Sequence, residues 1–256
     1  MGVPTVRPIP SLADRIASLL ERVDYRQANS GDVAEAVYRL RYEAYIREGT
    51  ISPNAAHRLS DRFDGTPNAL TFAVYIDDRL ASSIRLHIAC PEFPDIPANQ
   101  VFGDLLQPQI AAGRRIIDPT RFVCDAEMGR IYPQLPFLTV RIGFIAGEFF
   151  GADAILATVR AEHRAFYQRI FGHKPLADPR PYPSLLKPIS LMALDYRAQR
   201  DAVIRRYPFF ASTLFERRMM FDPTGTLPQQ LRRTPAPTAD IPLAMDVLPE
   251  RVAAPG

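Results

Sequence analysis

The sequence predicts an α/β fold in which helices flank a central sheet with one bulged, splayed strand. Three observations carry that expectation. Residues 70–76 and 80–88 are β-rich runs joined by Asp77-Asp78-Arg79, the signature of a hairpin. Residues 115–124 also read as a strand, yet they contain Pro119, which has no N–H to donate to a ladder, so the strand is expected to bulge or splay there. Residues 135–150 form the clearest helix: Leu138, Ile142, Ile145 and Phe149 recur on one face, Pro136 suits the first turn and Gly151 the end.

In chain order, residues 1–10 carry three prolines and read as an arm. Residues 11–23 suit a short amphipathic helix with Ile16, Leu19, Leu20 and Val23 at helical spacing, opened by a capping box of Ser11 and Asp14. Residues 24–28 suit a short strand. A second helix begins near Ser30-Gly31-Asp32, places Val33, Val37, Leu40 and Ala44 on one face and stops at Gly49. Residues 53–64 are polar and loop-like. Within 80–88, period two sets Leu80, Ser82, Ile84, Leu86 and Ile88 on one face and Arg85 and His87 on the other. Residues 91–114 read as a long connection with Val101-Phe102-Gly103-Asp104-Leu105-Leu106 inside it, and connections of that length are usually functional or carry small elements.

After the long helix come a strand at 154–159, a short helix at 163–171 closed by Gly172, a strand at 189–194 and a helix at 197–206. His163 and His173 are expected at helix ends. Residues 222–256 hold seven prolines. Such a composition buries too little apolar area to offset its ordering entropy, which predicts a disordered tail. The expected division is an N-terminal arm and helix at 1–29, one domain at 30–221 and the tail at 222–256.

Hydrophobic residues make up 47% and charged residues 23% of the 256, the balance of a soluble globular chain. No stretch approaches the ~18–20 apolar residues that span a bilayer. Residues 1–8 lack the apolar region of a signal peptide, so a cytoplasmic location is expected. The formal net charge is +3, and lysine occurs only at 174 and 187, so the 31 basic residues are nearly all arginine. That skew suits an acidic partner held by guanidinium forks, although genome composition produces the same skew. No basic run exceeds two residues and no nucleic-acid-binding module is present, which argues against nucleic acid. Cys90 and Cys124 lie in apolar runs, outside any CxxC pair or Cys/His cluster of metal-ligand spacing; buried free thiols and no metal are expected.

An ordered set of short motifs narrows the reading. Leu40-Arg41-Tyr42-Glu43-Ala44-Tyr45 lies on the second helix and Asp61-Arg62-Phe63-Asp64 precedes the hairpin. Ser83-Ile84-Arg85-Leu86 sits in its second strand. Val101-Phe102-Gly103-Asp104-Leu105 follows, and Asp118-Pro119-Thr120-Arg121-Phe122-Val123 fills the bulged strand. From about residue 38 to 196 this series resembles the acyl-homoserine lactone synthases and, more closely, the long-chain N-acyl amino acid synthases. The resemblance implies a GNAT-like (acyl-CoA N-acyltransferase) fold, a mixed central sheet with a splayed strand. It implies an N-acyltransferase that takes a fatty acyl group from the phosphopantetheine arm of acyl carrier protein, with no other cofactor and no metal, and delivers it to an amino acid.

The resemblance marks Asp118 and Arg121 as catalytic, and Arg41, Tyr45, Asp61, Asp64, Arg85 and Phe102 as site-shaping. Homoserine lactone synthases typically carry glutamate where this chain has Asp118, and a tryptophan after the helix motif, whereas this chain has no tryptophan. Both departures favour an amino-acid acceptor over S-adenosylmethionine. The glycine-rich pyrophosphate loop of coenzyme-A-dependent relatives is also missing: only Gly129 lies between Cys124 and Leu138.

The chemistry asks for three things: a group that takes a proton from the acceptor ammonium, a seat that holds amine and thioester together, and donors for the tetrahedral oxyanion. Asp118 suits the first if burial raises its pKa. Main-chain N–H groups beside the bulge suit the third. His87, on the Arg85 face, is a second candidate base. Plainer readings stand beside these. Asp118 also reads as a strand-end polar residue, Arg121 as a structural partner of Asp118, Asp61 or Asp64, Arg85 as a structural partner of Asp64, and Arg41 and Tyr45 as exposed residues one turn apart. Arg160 and Arg164 are candidates for docking an acidic carrier. Two alternatives remain at this stage, a homoserine lactone synthase and a non-catalytic acyl- or carrier-binding protein.

Overall fold

A computed structural model describes residues 10–28, 31–183 and 187–232. Helix α1 (Leu12–Leu20) opens with the expected capping box, Asp14 N–H donating to Ser11 Oγ at 3.1 Å and Ser11 N–H to the Asp14 carboxylate at 2.9 Å. Strand β1 (Val23–Gln27) leads to α2 (Gly31–Arg47), which stops before Gly49 in the left-handed region. The hairpin is β2 (Ala69–Ile76) and β3 (Arg79–Ala89), followed by α3 (Asn99–Ala111) and β4 (Ile116–Cys124). Helices α4 (Ala126–Ile131) and α5 (Leu135–Phe150), β5 (Ala154–Val159), α6 (Arg164–Phe171), β6 (Lys174–Pro175), β7 (Ser190–Asp195), α7 (Tyr196–Arg206) and α8 (Leu214–Phe221) complete the order.

The strands form one seven-stranded sheet in the order β1-β2-β3-β4-β5-β7-β6, antiparallel except between β4 and β5. Ile84, Leu86, Ile117, Ile155 and Leu194 bury one face of this sheet in the main core with α1 and α5–α8. The other face carries α2 and α3. Ala73 meets Val37 there, and Ala89, Ile116, Leu156 and Leu191 meet Phe102, Leu106 and Ile110. Because α1 and β1 share this core and sheet, the N-terminal helix is part of the domain rather than an appendage.

Two departures define the middle of the sheet. The β4–β5 ladder consists of Ile116↔Ala154 and Ile117↔Ile155, so β4 leaves β5 at Asp118-Pro119, where proline has no N–H to extend it. The β3–β4 ladder runs from Ala89↔Ile116 to Arg85↔Thr120 and resumes at Ser83↔Val123. Arg121 and Phe122 therefore face Ile84 alone. The splay falls at Pro119 as expected, whereas the bulge sits two residues further on, with Arg121 at φ +54.

The structure corrects other expectations. Residues 99–111 form α3 where a connection was expected. Gly103 and Pro108 hide its period, and the helix kinks at Phe102 (φ −121, ψ 24). Helix α8, capped by Thr213, was not anticipated. The predicted tail boundary at 222 fails, because Leu227 and Leu231 are buried. Arg115 Nη1 donates to the carbonyls of Phe150 at 3.1 Å and Leu231 at 2.8 Å, and Nη2 to that of Gln230 at 3.1 Å, fastening residues 222–232 to the end of α5. The remainder of the predicted tail, 233–256, lies outside the described residues, as does most of the predicted arm. Cys90 is buried, but Cys124 is only partly so.

Candidate active site

Cross-strand pairing sets Thr71, Arg85 and Thr120 in one row and His87 and Asp118 in the next, all on the face covered by α2 and α3. Above them a 3-10 turn, Arg62–Gly65, is closed by its own capping box: Asp61 accepts from Phe63 N–H at 2.9 Å, and Asp64 from Asp61 N–H at 2.9 Å. That turn aims two carboxylates down at the sheet.

Three arginines meet them. Arg41 Nη1 donates to Asp64 Oδ1 at 2.7 Å, and Arg85 Nη1 lies 2.8 Å from the same oxygen. Arg85 also forks onto Asp61, Nη1 to Oδ1 at 2.7 Å and Nη2 to Oδ2 at 3.2 Å, while its Nε reaches Thr120 Oγ1 at 3.2 Å. Arg121 Nη2 donates to Asp61 Oδ2 at 2.6 Å, with its Cζ 5.3 Å from the Tyr45 ring centroid. The left-handed backbone of the bulge is what turns Arg121 back to this carboxylate. Burial opposes ionisation of Asp61 and Asp64, but the guanidinium partners outweigh it and hold both carboxyls below their ordinary range. Arg41 and Arg85 are fully buried, so the reading of Arg41 as an exposed helix residue does not hold.

Asp118 stands apart from these pairs. It is fully buried, its Oδ2 accepts the main-chain N–H of Ala98 at 3.0 Å, and its Oδ1 has no partner. Burial pushes its pKa up to about 7, against smaller opposing effects of the Ala98 N–H and Arg85. Its cross-strand neighbour His87 is held down to about 3 by burial and by Arg85. The His87 Nε2 lies 3.1 Å from the Phe63 carbonyl, which only accepts, so Nε2 carries the proton and Nδ1, without a partner, offers a lone pair.

Five of the eight expected residues thus form one ionic cluster, Tyr45 packs against it through Arg121, and Asp118 adjoins it through Arg85. Phe102 does not join: it belongs to the apolar cluster under α3, with the Arg180 guanidinium 5.1 Å from its ring centroid. Tyr182 was missed. Burial lifts its hydroxyl to about 12 within the fields of Arg121, Asp118 and Asp61, and it donates to Gln100 Oε1 at 2.6 Å. It sits in an aperiodic, proline-rich stretch that gives no signal in sequence.

On the opposite face, where β4 and β5 part, Ile84, Pro119, Phe122, Val140, Phe144 and Leu194 line a narrow apolar cleft with about 30 Å³ of free space. Helix α5 passes close to the splay at Gly143, where a Cβ would stand 3.5 Å from Pro119 Cγ, an ordinary contact distance. A larger hollow of about 320 Å³ between α5 and α7, lined by Tyr196, Arg200 and Ile204, is remote from Asp118 on the far face. The chemistry, not the size of the void, points to the smaller cleft. Adjacent residues Asp118 and Pro119 straddle the sheet, polar cluster on one side and apolar cleft on the other.

The helix starts that follow β4 are already engaged. The Asp125 carboxylate accepts from Glu127 N–H at 3.1 Å and Met128 N–H at 2.9 Å. At α5, Leu135 and Phe137 N–H groups bond back to Tyr132 and Gln134 carbonyls, and Pro136 has no N–H. A carboxylate occupies donors that would otherwise suit a phosphate. Arg160, expected as an exposed docking residue, is committed to Glu48 at 2.7 Å and Glu162 at 3.2 Å.

The profile of a family described as N-acyl amino acid synthase FeeM matches residues 36–195. No curated protein matches the chain. Among solved structures, FeeM, an N-acyl amino acid synthase from uncultured soil microbes, is 16% identical, covering 70% of this chain and 94% of that one at a TM-score of 0.57. MesI, a CoA-dependent acyl-homoserine lactone synthase, is 17% identical, covering 75% and 97% at a TM-score of 0.50. At these identities the likeness to the solved structures is one of fold.

Proposed function

Because the chain belongs to the N-acyl amino acid synthase FeeM family and is an N-acyltransferase of GNAT-type fold, we propose that it moves a long-chain fatty acyl group from acyl carrier protein to the amine of an amino acid. The observation that carries this reading is Asp118: a buried carboxyl with one unpartnered oxygen, placed where β4 leaves β5 above an apolar cleft.

In this reading the acyl chain lies in the cleft against α5 and its thioester reaches the gap at Pro119. The amino acid enters from the α2/α3 face. Asp118, ionised near neutrality, takes a proton from the acceptor ammonium through Oδ1, and the freed amine attacks the thioester carbonyl. The tetrahedral intermediate collapses to the amide. The thiol of the carrier arm leaves with the second nitrogen-borne proton. Main-chain N–H groups at the Arg121-Phe122 bulge, where the β3–β4 register is interrupted, serve the oxyanion, as preorganised donors do. Arg121, Arg85 and Asp61 keep the bulge in shape, and their net positive field receives the acceptor's carboxylate.

A carrier-protein donor is favoured over coenzyme A because the Asp125 carboxylate already engages the main-chain donors at the start of α4, so they do not also serve a pyrophosphate. Among the described residues no helix is long and apolar enough to cross a membrane, and we place the reaction in the cytoplasm, where carrier-bound acyl groups are made.

The test is purified protein with matched acyl-carrier-protein and acyl-coenzyme A donors, offered a panel of amino acids and S-adenosylmethionine, with products read by mass spectrometry. N-acyl amino acids from the carrier-bound donor are expected, with rates that fall as salt screens docking. An acyl lactone made from S-adenosylmethionine would replace this reading with the lactone-synthase one. No product from any pair would leave a binding protein.

A further inference from the structure

One polar side chain lines the apolar cleft without a partner. His173 follows Gly172 at the end of α6, is 5% exposed, and neither ring nitrogen makes a hydrogen bond. Aromatic edges surround it, the ring centroids of Tyr167 and Phe171 lying at 5.5 and 5.7 Å. Burial holds the imidazole down to about 4, so the ring is neutral at physiological pH. The carbonyls of Tyr167 and Ile155 lie near enough to favour a proton on the ring, though neither closes a hydrogen bond.

A neutral imidazole has one N–H and one lone pair. Carbonyls can serve the N–H but never the lone pair, and a buried acceptor left alone is costly. Only a hydrogen-bond donor inside the cleft answers it. The cleft is otherwise lined by aliphatic and aromatic groups, apart from the Tyr167 hydroxyl.

On the reading that this cleft takes the acyl chain, we propose that His173 is a specificity residue that accepts a hydrogen bond from a hydroxyl carried on that chain, so the preferred substrate class is hydroxylated fatty acyl groups. A keto or ether oxygen at the same carbon has no proton for the lone pair and can only accept from the ring N–H, which the Tyr167 and Ile155 carbonyls already flank, so it is not favoured.

The test begins with binding, which does not depend on turnover. Affinities of the full chain are measured for free fatty acids of one length: unsubstituted, hydroxylated at successive carbons, and the matching methoxy acids. At one position the hydroxy acid is expected to bind about tenfold or more tighter than both the plain and the methoxy acid, and His173→Phe to abolish the preference. Equal affinities across the series in the wild-type protein overturn the proposal and leave the lone pair to a buried water. The methoxy comparison needs no variant, so a His173→Phe protein that fails to fold does not blunt the test. The hydroxy preference is then sought in acyl transfer from paired carrier-bound donors. Hydroxy-selective binding without transfer would sink the enzyme reading while His173's role stands; transfer without hydroxy preference would do the reverse.

Discussion

The Oδ2 atom of Asp118 accepts the main-chain N–H of Ala98 at 3.0 Å, which ties the carboxyl at the centre of the sheet to the start of α3. One oxygen thus holds the helix that covers the site while the other is left without a partner. Asparagine keeps the acceptor for Ala98 but cannot take a proton. Asp118→Asn should therefore fold normally and lose roughly 10²-fold or more in turnover, the range for loss of a general base. Steady-state rates with a carrier-bound donor check this, and near-wild-type rates would remove Asp118 from the mechanism.

The same residue predicts opposite pH trends in activity and stability. With a folded pKa raised to about 7 from an unfolded value near 3.8, its contribution to stability is complete below about pH 4 and is lost as pH rises through 7. Turnover should rise over that upper range, because the base must be ionised. Asp118→Asn should flatten the stability loss between pH 4 and 7, seen by urea unfolding at stepped pH. A wild-type chain whose stability is level across that window would show that the carboxyl is not buried as described.

Asp61 and Asp64 carry the reverse sign. Their guanidinium partners depress both carboxyls, so their stabilisation is present above about pH 4 and disappears as acid protonates them. Asp64→Asn strips the fully buried Arg41 of its ionic partner. Breaking one side of a buried pair costs about 3–5 kcal/mol, so the urea midpoint should fall sharply at pH 7 and converge on wild type in acid. A loss below ~1 kcal/mol would mean the cluster is well hydrated.

Two glycines on α5 predict opposite outcomes for one substitution. A Cβ at Gly147 would lie 2.7 and 2.8 Å from the Tyr196 ring, which is itself packed. Gly147→Ala should destabilise by about 1–3 kcal/mol through overpacking. At Gly143 the same Cβ meets Pro119 and Leu86 at ordinary contact distance. Gly143→Ala should hold or gain up to about 1 kcal/mol of stability from helix propensity, yet narrow the cleft and shorten the preferred acyl chain. Denaturant curves and a donor chain-length series separate the two.

Residues 222–232 should prove part of the fold. A chain ending at Phe221 discards the buried Leu227 and Leu231 and removes the Gln230 and Leu231 carbonyls that accept from Arg115, leaving its Nη2 without that partner. Each fully buried leucine contributes about 1.5–3 kcal/mol, so this truncation should lower the melting temperature by several degrees or more. A chain ending at Arg232 should match the full-length melt over this region. Equal melts for the two truncations would show that residues 222–232 do not dock in solution.

Much of the architecture was legible because it is written in local periods. The hairpin, α5 and the capping box of α1 each follow from residues within a few positions of one another. Pro119 announced the splay through a missing N–H, a property no tertiary context can restore. Where a helix carries Gly103 and Pro108 in its interior, as α3 does, the period is broken and the local signal vanishes. Packing of Phe102, Leu106 and Ile110 on the sheet supplies what propensity lacks.

By itself the sequence determined which residue types were available: two aspartates ahead of the hairpin, arginines at 41, 85 and 121, and Asp118 beside a proline. It also determined that period two would put Arg85 and His87 on one face of a strand. Only the tertiary structure decided which carboxylates are paired and which is alone. Asp61 and Asp64 gain guanidinium partners because a 3-10 turn, fixed by its own caps, hangs them over Arg85, and because a left-handed residue turns Arg121 back to meet them. Asp118, one row along, is sealed under α3 with a single N–H for company. Those are differences of burial and of distances between residues tens of positions apart. They move one carboxyl up to about 7 and hold two others down, and no local pattern encodes them.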